Sequence, residues 1–191
     1  MPLDVSSVTH AALVRRPLAG TAALTALPSA ARFVLRGRPA AERAAGEAFG
    51  VALPQTACRA AEAGQGRAAL WLGPDEWLLL APLDAGPALA ASLEQAMQGL
   101  PHALVDVSHR QAGIAVSGPD AAALLNAGCP LDLDPGTFPV GMCTRTLLGK
   151  AEIVLWRPAP DRFRVEVFRS FAAYVWSFLE EAGREFRPDS D

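Results

Sequence analysis

Cysteine and histidine are scarce in this sequence, and their scarcity excludes two kinds of site. The chain has three cysteines, Cys58, Cys129 and Cys143, without a C-x-x-C pair, and three histidines, none of them four residues from another. A disulfide framework or a zinc centre needs clustered ligands at such spacings. We therefore predict reduced thiols that behave as small apolar residues, and no metal site.

Positive charge and long apolar runs are also missing. Seventeen basic and twenty acidic residues leave a formal net charge of −3, and the basic residues form no run. Phosphate binding needs such runs, so no nucleic-acid partner is expected. No stretch approaches the roughly 18 apolar residues of a membrane span. Arg15-Arg16 imitates a twin-arginine export signal, but the following stretch is too poor in leucine, so we expect a cytoplasmic protein without a membrane segment.

Recognisable catalytic and cofactor motifs are absent as well. Ser117-Gly118 lacks the earlier glycine of a nucleophile elbow. The stretch Ser117 to Asp120 supplies one glycine, where dinucleotide and P-loop fingerprints need two or three. We therefore expect this chain to bind no flavin or dinucleotide by itself.

What the sequence does contain is an internal repeat. The order strand, helix, apolar hairpin, amphipathic helix occurs first over 32–37, 40–50, 68–82 and 86–100, and again over 112–118, 119–128, 151–168 and 170–183. Matching positions lie about 80 to 85 residues apart. The matched pairs are Gly37 with Gly118, Pro39 with Pro119, Leu70-Trp71 with Leu155-Trp156, Asp75 with Asp161, and Trp77 with Phe163.

This repeat predicts an α+β fold, an internal duplication of a β-α-β-β-α unit with mainly antiparallel sheets and helices packed on one face. The predicted divisions are an extended arm over 1–31, a first repeat over 32–100, a second repeat over 101–185 and a tail over 186–191. The two repeats are expected to form one compact domain. Face-to-face and side-by-side packing of the two sheets both stay open. The arm lacks periodicity, and we expect its leucines to lie against a partner or a second copy of the chain.

The stretch from Asp106 to His109 follows an extra strand, "HALVDVS", that is expected to lead the second repeat. Aspartate and serine side chains accept hydrogen bonds from backbone N–H groups at turns. We therefore interpret Asp106 and Ser108 as residues that end and turn a strand, and His109 as a turn residue.

Longer motifs resemble a known family. "DVSHRQAGIAVSGPDAAALL" (106–125), with the later "DLDPG", resembles the T-protein (aminomethyltransferase) superfamily, which binds folate between duplicated β-rich halves. Within it, about residues 13 to 185 are similar to the gamma subunits of heterotetrameric sarcosine oxidase, through "RRPLAG", "WLGPDEWLL", "DVSHR" and "RSFAAYVWSFLEEAG". The resemblance implies vestigial folate-site positions at Asp106, Ser108, His109, Glu152 and Trp156.

One segment departs from the T-protein pattern. That family has a glycine pair and two aspartates at the strand after the proline-glycine loop, whereas this chain reads "LLGKAEIVLWR". Gly149 matches one glycine, Ala151 replaces the first aspartate, and Glu152 stands at the second. The resemblance therefore implies a subunit without catalytic residues of its own.

The function implied by the resemblance belongs to a complex. Alpha, beta and delta partner subunits would hold FAD, FMN, NAD and tetrahydrofolate, and would convert sarcosine to glycine, peroxide and methylene-tetrahydrofolate. Two alternatives stay open: the equivalent subunit of N-methylglutamate dehydrogenase, and a stand-alone folate-binding aminomethyltransferase-like enzyme.

Overall fold

A computed structural model describes residues 15–17 and 22–186 of the 191-residue chain. The chain divides into two compact units. The first unit is Ser29–His109, and the second unit combines the residues up to Pro28 with those from Arg110 onward. Residues 1–14 and 18–21 of the predicted arm, and 187–191 of the predicted tail, lie outside the described residues.

Eleven strands and four α-helices are described, with short 3-10 turns at Leu83–Ala85 and Gly183–Phe186. In chain order they are β1 (Arg15–Pro17), β2 (Ala23–Ala26), β3 (Ala30–Gly37), α1 (Pro39–Phe49), β4 (Ala60–Ala63), β5 (Arg67–Gly73), β6 (Glu76–Pro82), α2 (Gly86–Ala96), β7 (His102–Asp106), β8 (Gln111–Ser117), α3 (Ala121–Asn126), β9 (Cys143–Leu148), β10 (Ala151–Ala159), β11 (Arg162–Phe168) and α4 (Arg169–Ala182). None of the described helices has the length and apolar character needed to cross a membrane.

The first unit is a five-stranded antiparallel sheet with α1 and α2 on one face. Its strand order is β4-β5-β6-β3-β7. Alternate strand residues such as Phe33 and Trp77 join Phe49 of α1 and Leu93 of α2 in one buried apolar cluster. Pro39 begins α1, where a missing N–H costs nothing, and Gly50 ends it with a left-handed φ of 75°.

The second unit repeats this plan with a six-stranded sheet. Its order is β1-β2-β8-β11-β10-β9, again antiparallel at every pairing. Ile153, Leu155 and Phe163 of the sheet share a buried cluster with Leu124 of α3 and Leu179 of α4. The apolar period of each helix thus covers the helix-side face of its own sheet.

The predicted duplication and α+β class are confirmed. In the first unit the Gly37 N–H donates to the Asp75 carbonyl at 3.1 Å, and in the second the Gly118 N–H donates to the Asp161 carbonyl at 2.8 Å. The same backbone bond therefore joins the matched positions of both repeats. Each repeat has one strand more than predicted, because β4 and β9 each pair with the hairpin that follows them.

Two strands lie elsewhere than the predicted divisions place them. Strand β7, expected to lead the second repeat, pairs with β3 and so belongs to the first unit. Strand β2, within the predicted arm, pairs with β8 and places Leu24 in the second unit's core with no exposed surface. Each strand is short, so its sequence pattern alone does not identify its partner.

Candidate functional site

The turn after β7 has the hydrogen bonds that its sequence predicts. The Asp106 Oδ1 accepts from the Ser108 N–H at 2.8 Å, and the Ser108 Oγ accepts from the Arg32 N–H at 2.9 Å. His109 lies exposed in this turn. The interpretation of Asp106 and Ser108 as turn-forming side chains is therefore confirmed, and both are engaged in holding backbone.

His102, at the start of β7, is the described histidine with a perturbed environment. Its Nδ1 lies 2.8 Å from the Leu100 carbonyl oxygen, and its Nε2 lies 3.2 Å from the Glu94 carboxylate. The Leu100 carbonyl, with a smaller contribution from Glu94, raises the His102 pKa above the ordinary 6.5, against the opposing effect of burial. The His102 ring thus connects β7 to α2.

We expect this histidine to stabilise the fold more in acid than in base. Because its folded pKa is raised, its contribution is full below the ordinary pKa of 6.5 and is lost as the pH rises through the folded pKa. The free-energy difference between wild type and His102→Gln should therefore shrink between about pH 5.5 and about pH 8. Chemical denaturation at both pH values measures it, and a difference that grows with pH would contradict the assignment.

The two positions that the resemblance matches with T-protein aspartates lie on opposite faces of β10. Ala151 is fully buried and belongs to the apolar cluster beneath the helices, together with Ile153. Glu152 is exposed and lies opposite Leu147 of β9. An aspartate at position 151 would place an unpaired carboxylate in the core, where burial of a charge is costly. Alanine therefore suits this position.

Trp156 lies on the same face of β10 as Glu152, opposite the helix-side core. It is 4% exposed, and its indole Nε1 has no hydrogen-bond partner among the described residues. The predicted match of Trp71 with Trp156 differs from the structure by one residue. With Trp77 matched to Phe163, Leu78 matches Arg164. Leu70 pairs with Leu78 and Trp156 pairs with Arg164, so Trp156 corresponds to Leu70. A one-residue shift changes the face, so Trp71 contacts the helix-side core and Trp156 does not.

A buried ion pair lies on the same sheet face as Trp156. Arg164, its neighbour across the β10–β11 ladder, donates from Nε and Nη2 to one Glu166 carboxylate oxygen, at 2.7 and 2.6 Å. The Glu166 side chain is 1% exposed and that of Arg164 is 22% exposed. This ion pair holds both charged side chains in place on the sheet. We interpret it as a structural contact and not as part of a reacting site.

Arg157 is the buried polar residue that sequence reasoning missed. Its guanidinium donates to the backbone carbonyls of Leu133 and Phe138 at 3.1 and 2.8 Å, and twice to that of Pro160, at 3.1 and 2.5 Å. It also lies over the Phe163 ring, 4.9 Å from the centroid. A charged residue directly after the apolar run "IVLW" was the available signal. Arg157 holds the loop before β9 against the sheet.

The five candidate positions are divided between the two units. Asp106, Ser108 and His109 belong to the first unit, while Glu152 and Trp156 share a strand of the second. Within the described ranges, no three histidine, cysteine or acidic side chains come together as metal ligands would. The described geometry is that of strand ends, core contacts and loop anchors.

Comparisons with solved structures define the class of fold. The chain superimposes on the glycine cleavage system aminomethyltransferase T of Bartonella henselae with a TM-score of 0.65 at 18% identity, covering 86% of this chain and 47% of that one. At that identity the match concerns the fold alone. The protein therefore has the aminomethyltransferase-like fold that the sequence motifs predicted.

A more similar structure and relative identify the family. The chain matches heterotetrameric sarcosine oxidase from Corynebacterium sp. U-96 with a TM-score of 0.85 at 31% identity, covering 93% of this chain and 91% of that one. It is 34% identical over 177 residues to the sarcosine oxidase subunit gamma of an Arthrobacter species, covering 92% of this chain and 86% of the relative. Residues 36–185 match the sarcosine oxidase, gamma subunit family, and the chain belongs to that family.

Proposed function

We propose that this chain is the non-catalytic gamma subunit of a heterotetrameric sarcosine oxidase, with alpha, beta and delta subunits as its partners. The observation that carries this proposal is the match to a sarcosine oxidase gamma subunit over 92% of the chain. Its partners demethylate sarcosine with oxygen to glycine and hydrogen peroxide, and the released carbon passes to tetrahydrofolate as the methylene group. The chain itself supplies binding surface in a cytoplasmic complex.

The local chemistry supports a subunit without catalytic residues. Ala151 stands in the core where a T-protein aspartate would be, and Glu152 lies exposed on the other face. A proton-transferring carboxylate needs burial or hydrogen bonds that set its proton affinity. FAD, FMN, NAD and tetrahydrofolate are accordingly assigned to the partner subunits.

The substrate of the co-purified complex tests the proposal. We expect peroxide and methylene-tetrahydrofolate to form with sarcosine. Turnover of N-methylglutamate without turnover of sarcosine would assign the chain to N-methylglutamate dehydrogenase instead. Folate binding and aminomethyl transfer by the isolated chain would support the stand-alone enzyme.

Removing the Glu152 carboxylate should leave the complex active. We expect Glu152→Ala to keep sarcosine turnover and folate coupling within about twofold of wild type, because less than about 0.5 kcal/mol of the barrier depends on it. Glu62→Ala is the matched control, since Glu62 is also an exposed strand carboxylate. The contrary result is a hundredfold loss of folate coupling with Glu152→Ala, while assembly is intact and Glu62→Ala is normal. That result would indicate that this chain is itself a folate enzyme.

The isolated chain should be colourless. It contains no glycine-rich turn between a strand and a helix with an acidic ribose partner after it. Gel filtration of the purified chain followed by absorption spectroscopy checks this expectation, with the co-purified complex as the flavin-containing control. A flavin spectrum that stays with the isolated chain would contradict it.

A further inference from the structure

Strand β7 forms one edge of the first unit's sheet. Its inner side pairs with β3, from Phe33 opposite Asp106 to Gly37 opposite His102. No strand within 15–17 or 22–186 pairs with its outer side. The outer edge therefore offers a row of backbone hydrogen-bonding groups.

Two backbone bonds show which groups point outward. The Gly37 N–H donates to Asp75 on the β6 side, and the Val107 N–H donates to the Arg32 carbonyl at 2.8 Å. Hydrogen-bonded and non-hydrogen-bonded pairs alternate along an antiparallel ladder. The N–H groups of Ala103 and Val105 consequently point to β3, and those of Leu104 and Asp106 point outward.

This edge has none of the prolines, lysines and arginines that commonly protect sheet edges. Strand β1 consists of Arg15, Arg16 and Pro17, and β4 has only four residues. Charge, proline and shortness all discourage pairing with another strand. Strand β7 contains no proline, lysine or arginine, and Val105 on it is 53% exposed.

The internal repeat indicates what fits there. Strand β2 holds the same place beside β8 that β7 holds beside β3, and β1 pairs with the outer edge of β2. One repeat thus has an extra antiparallel strand at a position where the described residues place none in the other repeat.

The side chains flanking the edge define the occupant. On the helix side Asp106 is exposed, and the Glu94 side chain, 57% exposed, contacts His102. On the other side Ala103 and Val105 are exposed. A second copy paired antiparallel about Leu104 would place Asp106 opposite the other copy's His102, which already contacts its own Glu94. Strand β7 has no lysine or arginine, so a second copy would not supply basic partners for both carboxylates.

We propose that the outer edge of β7 binds an antiparallel strand of a partner subunit, with basic side chains facing Asp106 and Glu94 and apolar side chains facing Val105 and Ala103. This inference rests on the proposed function. Main-chain hydrogen bonds to the outward backbone groups of β7, such as the Leu104 N–H, would supply affinity. The charged side chains on one side of the edge and the apolar side chains on the other would supply specificity.

Hydrogen exchange in the assembled complex tests the strand directly. The Leu104 amide should exchange at least about a hundredfold more slowly in the complex than in the isolated chain. The Val105 amide, which points to β3, should be protected in both and serves as the internal control. Protection of Leu104 already in the isolated chain would show that this chain's own residues or a second copy pair with the edge. Exchange that does not change in the complex would show that no partner strand pairs there.

A charge on the edge provides the second test. Val105→Lys should weaken assembly by at least about tenfold, because edge lysines oppose pairing. Leu147→Lys is the matched control, since Leu147 is 46% exposed on the edge strand β9. Equal weakening by both variants, or none by Val105→Lys, would overturn the inference. Failure of the wild-type chain to assemble at all would instead overturn the proposed function.

Discussion

Arg157→Met is expected to lower the free energy of unfolding by about 3 to 5 kcal/mol, because it leaves buried carbonyls without their charged donor. The side chain of Arg157 is buried, and its hydrogen bonds go to the carbonyls of Leu133, Phe138 and Pro160. Methionine fills similar volume but donates nothing. Chemical denaturation of the purified chain measures the loss.

The control for this variant is Arg162→Met. Arg162 is exposed on β11, so the same substitution there should change stability by less than about 0.5 kcal/mol. Arg157→Lys should fall between the two, since one ammonium cannot reproduce the fork of a guanidinium. A loss below about 1 kcal/mol for Arg157→Met would show that water replaces the guanidinium and that Arg157 does not anchor the loop.

Gly149→Ala is expected to cost about 2 to 4 kcal/mol, from a left-handed backbone and a steric clash together. Gly149 has a φ of +58°, and a Cβ there would collide with the Tyr174 hydroxyl. That hydroxyl accepts a hydrogen bond from the Lys150 N–H at 3.1 Å. A side chain at position 149 would therefore require the Tyr174 ring to move.

Two comparisons separate the contributions. Gly99→Ala reports backbone strain alone, because Gly99 has a φ of +78° and no atom within 4 Å of an added Cβ. Gly149→Ala should cost less in a Tyr174→Phe background, where the hydroxyl is gone. Equal costs for Gly149→Ala and Gly99→Ala would show that the Tyr174 contact is unimportant.

The sequence predicts the repeat because its signals are local. Gly37 and Gly118 end strands, and Pro39 begins a helix, through the conformations of single residues. The apolar runs of β5, β6 and β10, and the alternating apolar residues of β11, likewise mark strands. Such features need no knowledge of distant partners.

The missed features depend on distant partners. The choice of β7 between the two sheets is decided by its ladder with β3. The face on which Trp156 lies depends on the register against Arg164. The role of Arg157 depends on carbonyls that lie 19 and 24 residues earlier in the chain. Spacing alone contains none of this information.

The candidate site shows the same division. The turn at Asp106 was predictable, because its carboxylate accepts from the backbone N–H two residues later. The partner of the Ser108 hydroxyl was not, because Arg32 lies 76 residues earlier in the chain. The opposite faces of Ala151 and Glu152 emerge only once β10 is placed over its core. Fold markers were thus easier to interpret than functional positions.

Co-expression of this chain with the proposed alpha, beta and delta partners tests the central claim most directly. The account predicts that the chain co-purifies in one stoichiometric complex, that sarcosine-dependent peroxide formation belongs to that complex, and that the isolated chain has no activity. Native mass spectrometry of the complex gives its stoichiometry, and a peroxide assay gives its turnover. The same peroxide assay is applied to the isolated chain. A chain that stays separate from its partners, or that transfers aminomethyl groups to folate by itself, would contradict the account.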